Sequence, residues 1–361
     1  MSTPPLFSPV MLRDVALHNR IVVAPMCQYS AVEGAATSWH RIHVPTLAMS
    51  GAGLVIVEAT AVRMDGRISS GCLCLHDDAH ERALAEVVAL AKEHGQAKLA
   101  LQLGHAGRKG SSAPPWHGGA QLPLDQGGWQ TVASSALPFN AADRAPRALE
   151  LPELAELTRA FAAAAERAAR VGFDLVELHS AHGYLLHQFL SPLTNQRSDE
   201  YGGSLERRMR FPLEVFAAMR AALPARVPLG VRISATDWVE GGWDLEQSIV
   251  FARALKERGC DFIDVSSGGL SPAQQLQPAP GFQVPFAARL KRELQIPVMA
   301  VGLITDPEHA NRIVAEGEAD FVALARGMLW DPRWGWHAAE KLGVKVQAPR
   351  QYLRGSATLR S

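Results

Sequence analysis

The chain has 361 residues, of which 47% are hydrophobic and 20% charged, with 36 basic and 36 acidic side chains. That hydrophobic share excludes a disordered protein. A formal net charge of zero, with no block of like charge, leaves no electrostatic footprint for a nucleic-acid binder.

A chain of this length buries about 75% of its unfolded surface, so its core needs no covalent or metal staple. The four cysteines, Cys27, Cys72, Cys74 and Cys260, form no CxxC pair and are too few for a disulfide framework. The start, Met1-Ser-Thr-Pro-Pro, lacks the charged and apolar regions of a signal peptide. No apolar run reaches the roughly 18 residues of a membrane span. These features predict a soluble, cytoplasmic protein with no membrane or nucleic-acid partner.

In chain order, residues 6 to 20 read as a hairpin ahead of the first strand, placed to plug the lower end of a barrel. Eight short apolar runs then follow: Ile21 to Ala24, Leu54 to Glu58, Leu99 to Leu103, Leu175 to Leu178, Leu229 to Ile233, Phe262 to Val265, Val298 to Val301 and Phe321 to Leu324. Near-continuous apolar strands suit a parallel sheet covered on both faces. Between them lie amphipathic stretches, Ala79 to His94, Leu154 to Val171, Leu205 to Ala222, Leu245 to Arg258 and Pro307 to Glu316. Asp244 and Asp306 stand where helix caps belong.

Eight strand-then-helix units predict an α/β protein, a (β/α)8 TIM barrel in one domain over 1–361. An open doubly wound sheet alternates in the same way. The count of eight, and the lack of GxGxxG after the first strand, favour the barrel. Residues 105 to 150, after the third run, are rich in Gly, Pro, Trp and Ser. They are too long for an ordinary loop and predict a lid or subdomain over the active face.

In such a barrel the chemistry sits where strands end. The residues there are Pro25-Met26-Cys27-Gln28-Tyr29, Ala59-Thr60, Gln102 with His105-Ala-Gly-Arg-Lys109, and His179-Ser-Ala-His182-Gly-Tyr184. Arg232 with Ser234, Ser266-Ser-Gly-Gly269, Gly302-Leu-Ile and Ala325-Arg326-Gly327 complete the ring. Carboxylates are scarce in it, and Glu58 and Glu177 inside strands read as buried partners. His179 and His182 have a spacing that could hold zinc, but a catalytic zinc needs a third protein ligand, and none stands at a matching strand end. No metal is expected. One histidine could simply pack in a turn; as a functional pair, the imidazoles would donate to a substrate oxygen gaining negative charge. Tyr184 could then act as general acid.

Gly302, Ala325 and Arg326 follow the last two strands, where barrels commonly bind phosphate. That position points to FMN or a sugar phosphate, although any tight turn uses glycine. Arg232 suits a site where negative charge accumulates, or it pairs with a neighbouring carboxylate. Cys27 is read three ways: as a small core residue, as a contact that tunes a cofactor, or as a nucleophile.

The segment from Val176 to Arg208, Val-Glu-Leu-His-Ser-Ala-His-Gly-Tyr onward through Asp-Glu-Tyr-Gly-Gly-Ser-Leu-Glu-Arg-Arg, resembles the signature of the Old Yellow Enzyme family of FMN-dependent ene-reductases. The resemblance runs from Asn19-Arg20-Ile21 to Gln351-Tyr352. Ala24-Pro-Met-Cys-Gln-Tyr29 and His105-Ala-Gly-Arg-Lys109 resemble its thermophilic-like subclass, which includes bacterial xenobiotic reductases. The resemblance implies FMN contacts from Ala24, Pro25, Met26, Cys27, Ala59, Gln102 and Arg232. It implies phosphate contacts from Gly302, Ala325 and Arg326, with Ala325 departing from the glycine of many relatives.

It further implies that His179 and His182 bind the activating oxygen, that Tyr184 donates the proton, and that Tyr29 lines the pocket. Arg354 matches an arginine finger reaching a neighbouring subunit, with the tail from about 340 to 361. A homodimer or homotetramer is therefore expected. The implied reaction is ping-pong reduction of an activated alkene by NADPH through FMN. The competing readings are another FMN barrel dehydrogenase and a metal-dependent barrel hydrolase. Trp330, Trp334 and Trp336 suit either a subunit interface or the barrel's flank.

Overall fold

Eight parallel strands close on themselves in the computed structural model, which describes residues 3–360. The hairpin β1 (Val10–Leu12) and β2 (Val15–Leu17) comes first, followed by β3 (Ile21–Val23), β4 (Leu54–Ala61) and β5 (Lys98–Gly104). The excursion contributes only the short pair β6 (Val132–Ala133) and β7 (Arg147–Ala148). The barrel resumes with β8 (Leu175–Ser180), β9 (Leu229–Ser234), β10 (Ile263–Ser266), β11 (Val298–Val301) and β12 (Phe321–Leu324). The tail pairs β13 (Val346–Gln347) with β14 (Leu359–Arg360). Around the barrel β12 pairs with β3, and each of the eight runs read from the sequence supplies one strand.

The helices are α1 (Ser38–Ala48), α2 (Asp78–His94), α3 (Leu151–Val171), α4 (Leu185–Leu190), α5 (Leu205–Ala222) and α6 (Leu245–Glu257). They continue with α7 (Val284–Leu294), α8 (Pro307–Ala315), α9 (Arg326–Trp330) and α10 (Trp334–Lys341). Asp244 and Asp306 cap α6 and α8 by accepting the N–H groups of Gln247 and His309. α3 starts three residues before the predicted Leu154, because Glu150 caps it and Pro152 fits its first turn. α1 shows no clean apolar stripe in sequence, with Pro45 inside it and Ser38, Trp39, His40 and Arg41 at its start.

The period of two along each strand explains how the barrel positions a site. Val22, Leu54, Ile56, Ala100, Leu175, Phe262, Met299 and Phe321 form one buried cluster, and Leu12 and Leu17 of the hairpin belong to it. The hairpin therefore packs against the apolar end of the barrel interior. Two or four residues further along the same strand faces stand Glu58, Gln102, Glu177, His179 and Asp264, with Arg232 on β9 beside them, all buried. The other strand faces pack against the helices in a second, larger cluster that includes Trp334 and Trp336. Of the three C-terminal tryptophans only Trp330 is out in solvent, at 91% exposure.

Candidate active site

The polar end of the barrel is organised by two buried acids. Glu177 accepts a hydrogen bond from the side-chain amide of Gln102 at 2.7 Å. Asp264 lies 3.2 Å from Nε of Arg232. Burial, with the Asp264 charge beside it, pushes the Glu177 carboxyl up to about 8. Glu58 anchors the loop after β3: it accepts the Gln28 N–H at 3.0 Å and faces His40 at 3.2 Å.

His179 ends β8 and Tyr184 caps α4, so the intervening turn brings both to one place. Their rings meet edge to face at 4.9 Å, and His179 meets His182 likewise at 5.1 Å. His182 adopts φ +57°, in the left-handed region. The Ala181 N–H points at His179 Nδ1 at 3.2 Å, which makes that nitrogen an acceptor and places the ring proton on Nε2. His179 Nε2 lies 3.3 Å from His182 Nδ1, and His182 Nε2 lies 2.7 Å from the Ser266 hydroxyl.

Burial, aided by the Arg232 charge, holds both imidazoles well below the usual histidine range, so they are neutral near pH 7. Burial likewise pushes the Tyr184 phenol well above its usual range, and it keeps its proton.

Tyr184 and Tyr29 line a cavity of about 180 Å³ together with Lys109, Pro115, Phe139 and Asp143 from the excursion. Tyr29 takes φ +51° and meets Trp116 edge to face at 5.5 Å. The excursion thus stands over the barrel mouth. The neighbouring Cys72 thiol, then burial, raises the Cys27 thiol, whereas Cys27 lowers that of Cys72 against the opposing effect of burial.

A second cavity of about 250 Å³ is lined by Gly302, Leu303, Ala325, Arg326 and Gly327 with Ser267 and Gln283. Gly302 has φ +135°, and a Cβ there would come within 3.2 Å of Gln283 Nε2 and the Phe282 ring. Only glycine leaves that cradle open. Gln283 accepts from Ser267 Oγ at 2.6 Å and donates to the Val301 carbonyl at 2.9 Å. Ser266 links the two regions, since it contacts both His182 and, at 3.4 Å, Gln283.

Of the residues singled out from sequence, Ala24 sits buried after β3, with Pro25, Met26 and Cys27 following it toward the mouth. Ala59, Gln102 and Arg232 stand on barrel strands. Arg354 is exposed on the tail, apart from both cavities. Ser266 and Ser267 stood among the strand-end residues without a role. Gln283 had no signal at all, since it is an uncharged residue at the start of a helix distant in sequence. Trp116 and Phe139 were hidden inside the excursion.

Residues 5–344 match the sequence model of the NADH:flavin oxidoreductase / NADH oxidase family. The NADPH dehydrogenase of Geobacillus sp. (strain WCH70) is 45% identical over 352 residues, 97% of this chain and 98% of that protein. The solved structure of morphinone reductase superposes with a TM-score of 0.78 at 28% identity, covering 96% of this chain and 91% of that one. The Old Yellow Enzyme homologue from Zymomonas mobilis superposes with a TM-score of 0.78 at 25% identity, covering 93% and 92%.

Proposed function

This chain belongs to the NADH:flavin oxidoreductase / NADH oxidase family, and we propose that it works as an FMN-dependent NADPH:enone reductase of the Old Yellow Enzyme type. Its alkene substrates are α,β-unsaturated ketones, aldehydes, imides or nitroalkenes. The observation that carries this reading is the pair of neutral imidazoles, His179 and His182, beside a phenol that keeps its proton.

The residues present fit FMN. Arg232 is buried, and its Nε, although 3.2 Å from Asp264, makes no hydrogen bond, and the Gly302 cradle leaves room for a phosphate. Ala24, Pro25, Met26, Cys27, Ala59, Gln102 and Arg232 would hold the ring system. Gly302, Ala325 and Arg326, with Ser267 and Gln283, would hold the phosphate end. When bound, FMN would supply the hydride chemistry between NADPH and the β-carbon of the alkene. Use of one mouth by both substrates makes the order ping-pong.

The chain's own residues do the polar work. His179 donates through Nε2–H to the carbonyl or nitro oxygen. His182 must donate through Nδ1, which requires Nε2 to accept. The Ser266 hydroxyl, 2.7 Å away, can turn its proton toward Nε2 and so permit that tautomer. Two such donors stabilise the oxygen as it gains charge. Tyr184 then gives its proton to the α-carbon. Tyr29 and the lid, residues 105–150, shape the alkene pocket. Arg354 and the tail from about 340 reach a neighbouring subunit's site, in a homodimer or homotetramer.

The test is a visible spectrum of the purified protein, repeated without oxygen after NADPH and then cyclohexenone. A flavin band that bleaches with NADPH and returns with the enone supports the reading. Colourless protein that FMN cannot reconstitute overturns it. Bleaching without recovery overturns the alkene part.

A further inference from the structure

The junction of the β4–α2 loop with α2 reads His76-Asp77-Asp78-Ala79-His80, a cluster outside both cavities of the barrel mouth. Asp77 caps α2: its Oδ1 accepts the N–H groups of Ala79 and His80 at 2.9 and 3.0 Å. The carboxylate is thereby fixed, with Oδ2 turned toward His76, whose Nδ1 lies 3.3 Å away. The His80 side chain is buried, with 5% exposure for the residue. Its Nε2 lies 2.8 Å from the carbonyl oxygen of Glu33. A carbonyl only accepts, so in a neutral ring Nε2 carries the proton and Nδ1 is a bare lone pair.

That Nδ1 is buried without a hydrogen-bond partner and stands 2.8 Å from Asp77 Oδ1. One ligand atom from each of the three residues lies within 4.8 Å of the others. Lone pairs brought this close repel unless a positive charge sits among them. Arg167, the basic side chain that bears on His76, is already held by Asp78 and Glu81 at 2.6 Å each.

We propose that His76, Asp77 and His80 form a binding site for a divalent transition cation of the zinc class, separate from the flavin site. Two imidazoles and a carboxylate are a ligand set that zinc accepts. Bonds of about 2.0–2.2 Å in a tetrahedron set donors about 3.3–3.6 Å apart, and the Asp77 oxygens stand 3.3 Å from His76 Nδ1 and 2.8 Å from His80 Nδ1. The Nε2–H bond from His80 to the Glu33 carbonyl is the outer contact that orients a ligating imidazole. His76 is partly exposed, so the ion can enter from solvent and keep a water in its fourth position. The ion would pin the start of α2 to the turn at Glu33. The assignment of no metal from sequence weighed only His179 and His182.

The experiment titrates the chelator-stripped holoenzyme with zinc chloride against a chromophoric chelator. One zinc per chain is expected, with a rise in Tm. His76→Ala should lose at least about tenfold in affinity, the low end of what a disturbed metal shell costs. Asp77→Asn keeps the helix cap and should lose zinc equally. Both variants should keep the wild-type Tm without metal and unchanged enone turnover. Absence of saturable zinc binding in the wild type overturns the proposal, as does wild-type affinity in His76→Ala.

Discussion

The Lys109 ammonium donates to the backbone carbonyl of His182 at 2.9 Å and to that of Gly269 at 2.8 Å. His182 holds a left-handed φ of +57°, a conformation that costs about 1–3 kcal/mol unless its surroundings enforce it. Lys109 therefore clasps the turn that aims one of the two imidazoles. Burial lowers its pKa to about 8, so it is still charged at neutral pH. Lys109→Met keeps the length of the stem and removes the donor. A charge-assisted bond of about 1.5–3 kcal/mol translates to a loss of roughly tenfold or more in kcat/KM for enones. Steady-state kinetics should show it, with NADPH oxidation in the first half-reaction less affected.

Tyr184→Phe removes the proton donor and nothing else of the ring that packs on His179. The alkene half-reaction should slow by about 10²–10⁴-fold, while reduction of the enzyme by NADPH changes little. Stopped-flow measurement of each half-reaction separates the two. Equal damage to both would remove Tyr184 from the donor role.

Gly302→Ala puts a Cβ within 3.2 Å of Gln283 and Phe282 at a φ of +135°. The cradle narrows and its backbone is strained. Flavin should dissociate at least about tenfold more readily, a change of about 1.4 kcal/mol, as read by ultrafiltration and flavin fluorescence. Retention of FMN equal to the wild type would place the phosphate elsewhere.

The buried titratable groups set a pH window for stability. Burial holds His43 and His105 down to about 4, so below an unfolded value of about 6.5 the unfolded chain binds protons that the folded chain refuses. Their contribution is full above about pH 6.5 and is lost as pH falls toward 4. Glu177 acts in the opposite direction. With its carboxyl raised to about 8, its contribution is present at low pH and is lost as pH rises from about 4.5 through 8. Tm should therefore fall on both the acid and the alkaline side. Glu177→Gln should relieve only the alkaline loss; a scan of Tm against pH in which this variant follows the wild type above pH 8 would contradict the assignment.

Arg354→Ala tests the tail. If Arg354 completes a neighbouring subunit's site, the variant raises KM for the alkene severalfold with an unchanged visible spectrum. Native mass spectrometry of the same sample gives the subunit number. An unchanged KM removes the arginine from the site.

The barrel was legible in the sequence because each strand is buried on both faces, and burial on both faces writes an uninterrupted apolar run into the chain. Ile21 to Ala24 and Phe321 to Leu324 are such runs, and their recurrence eight times along the chain is what marked them as strands. The caps at Asp244 and Asp306 were legible because a capping carboxylate and the N–H group that donates to it are three residues apart. His179, His182 and Tyr184 were legible as a group because one turn holds all three. What the tertiary structure decided are the contacts between residues far apart in the chain. Lys109 on His182, Cys27 on Cys72, Gln283 beneath Gly302 and Trp116 against Tyr29 each join segments that no local pattern connects. The same applies to the tautomers of His179 and His182 and to the lone pair of His80. The Ala181 N–H fixes the first, but Ser266 and the Glu33 carbonyl act across the fold. Local periodicity records which face of an element is buried, whereas the identity of the atom it meets there depends on how the whole chain closes.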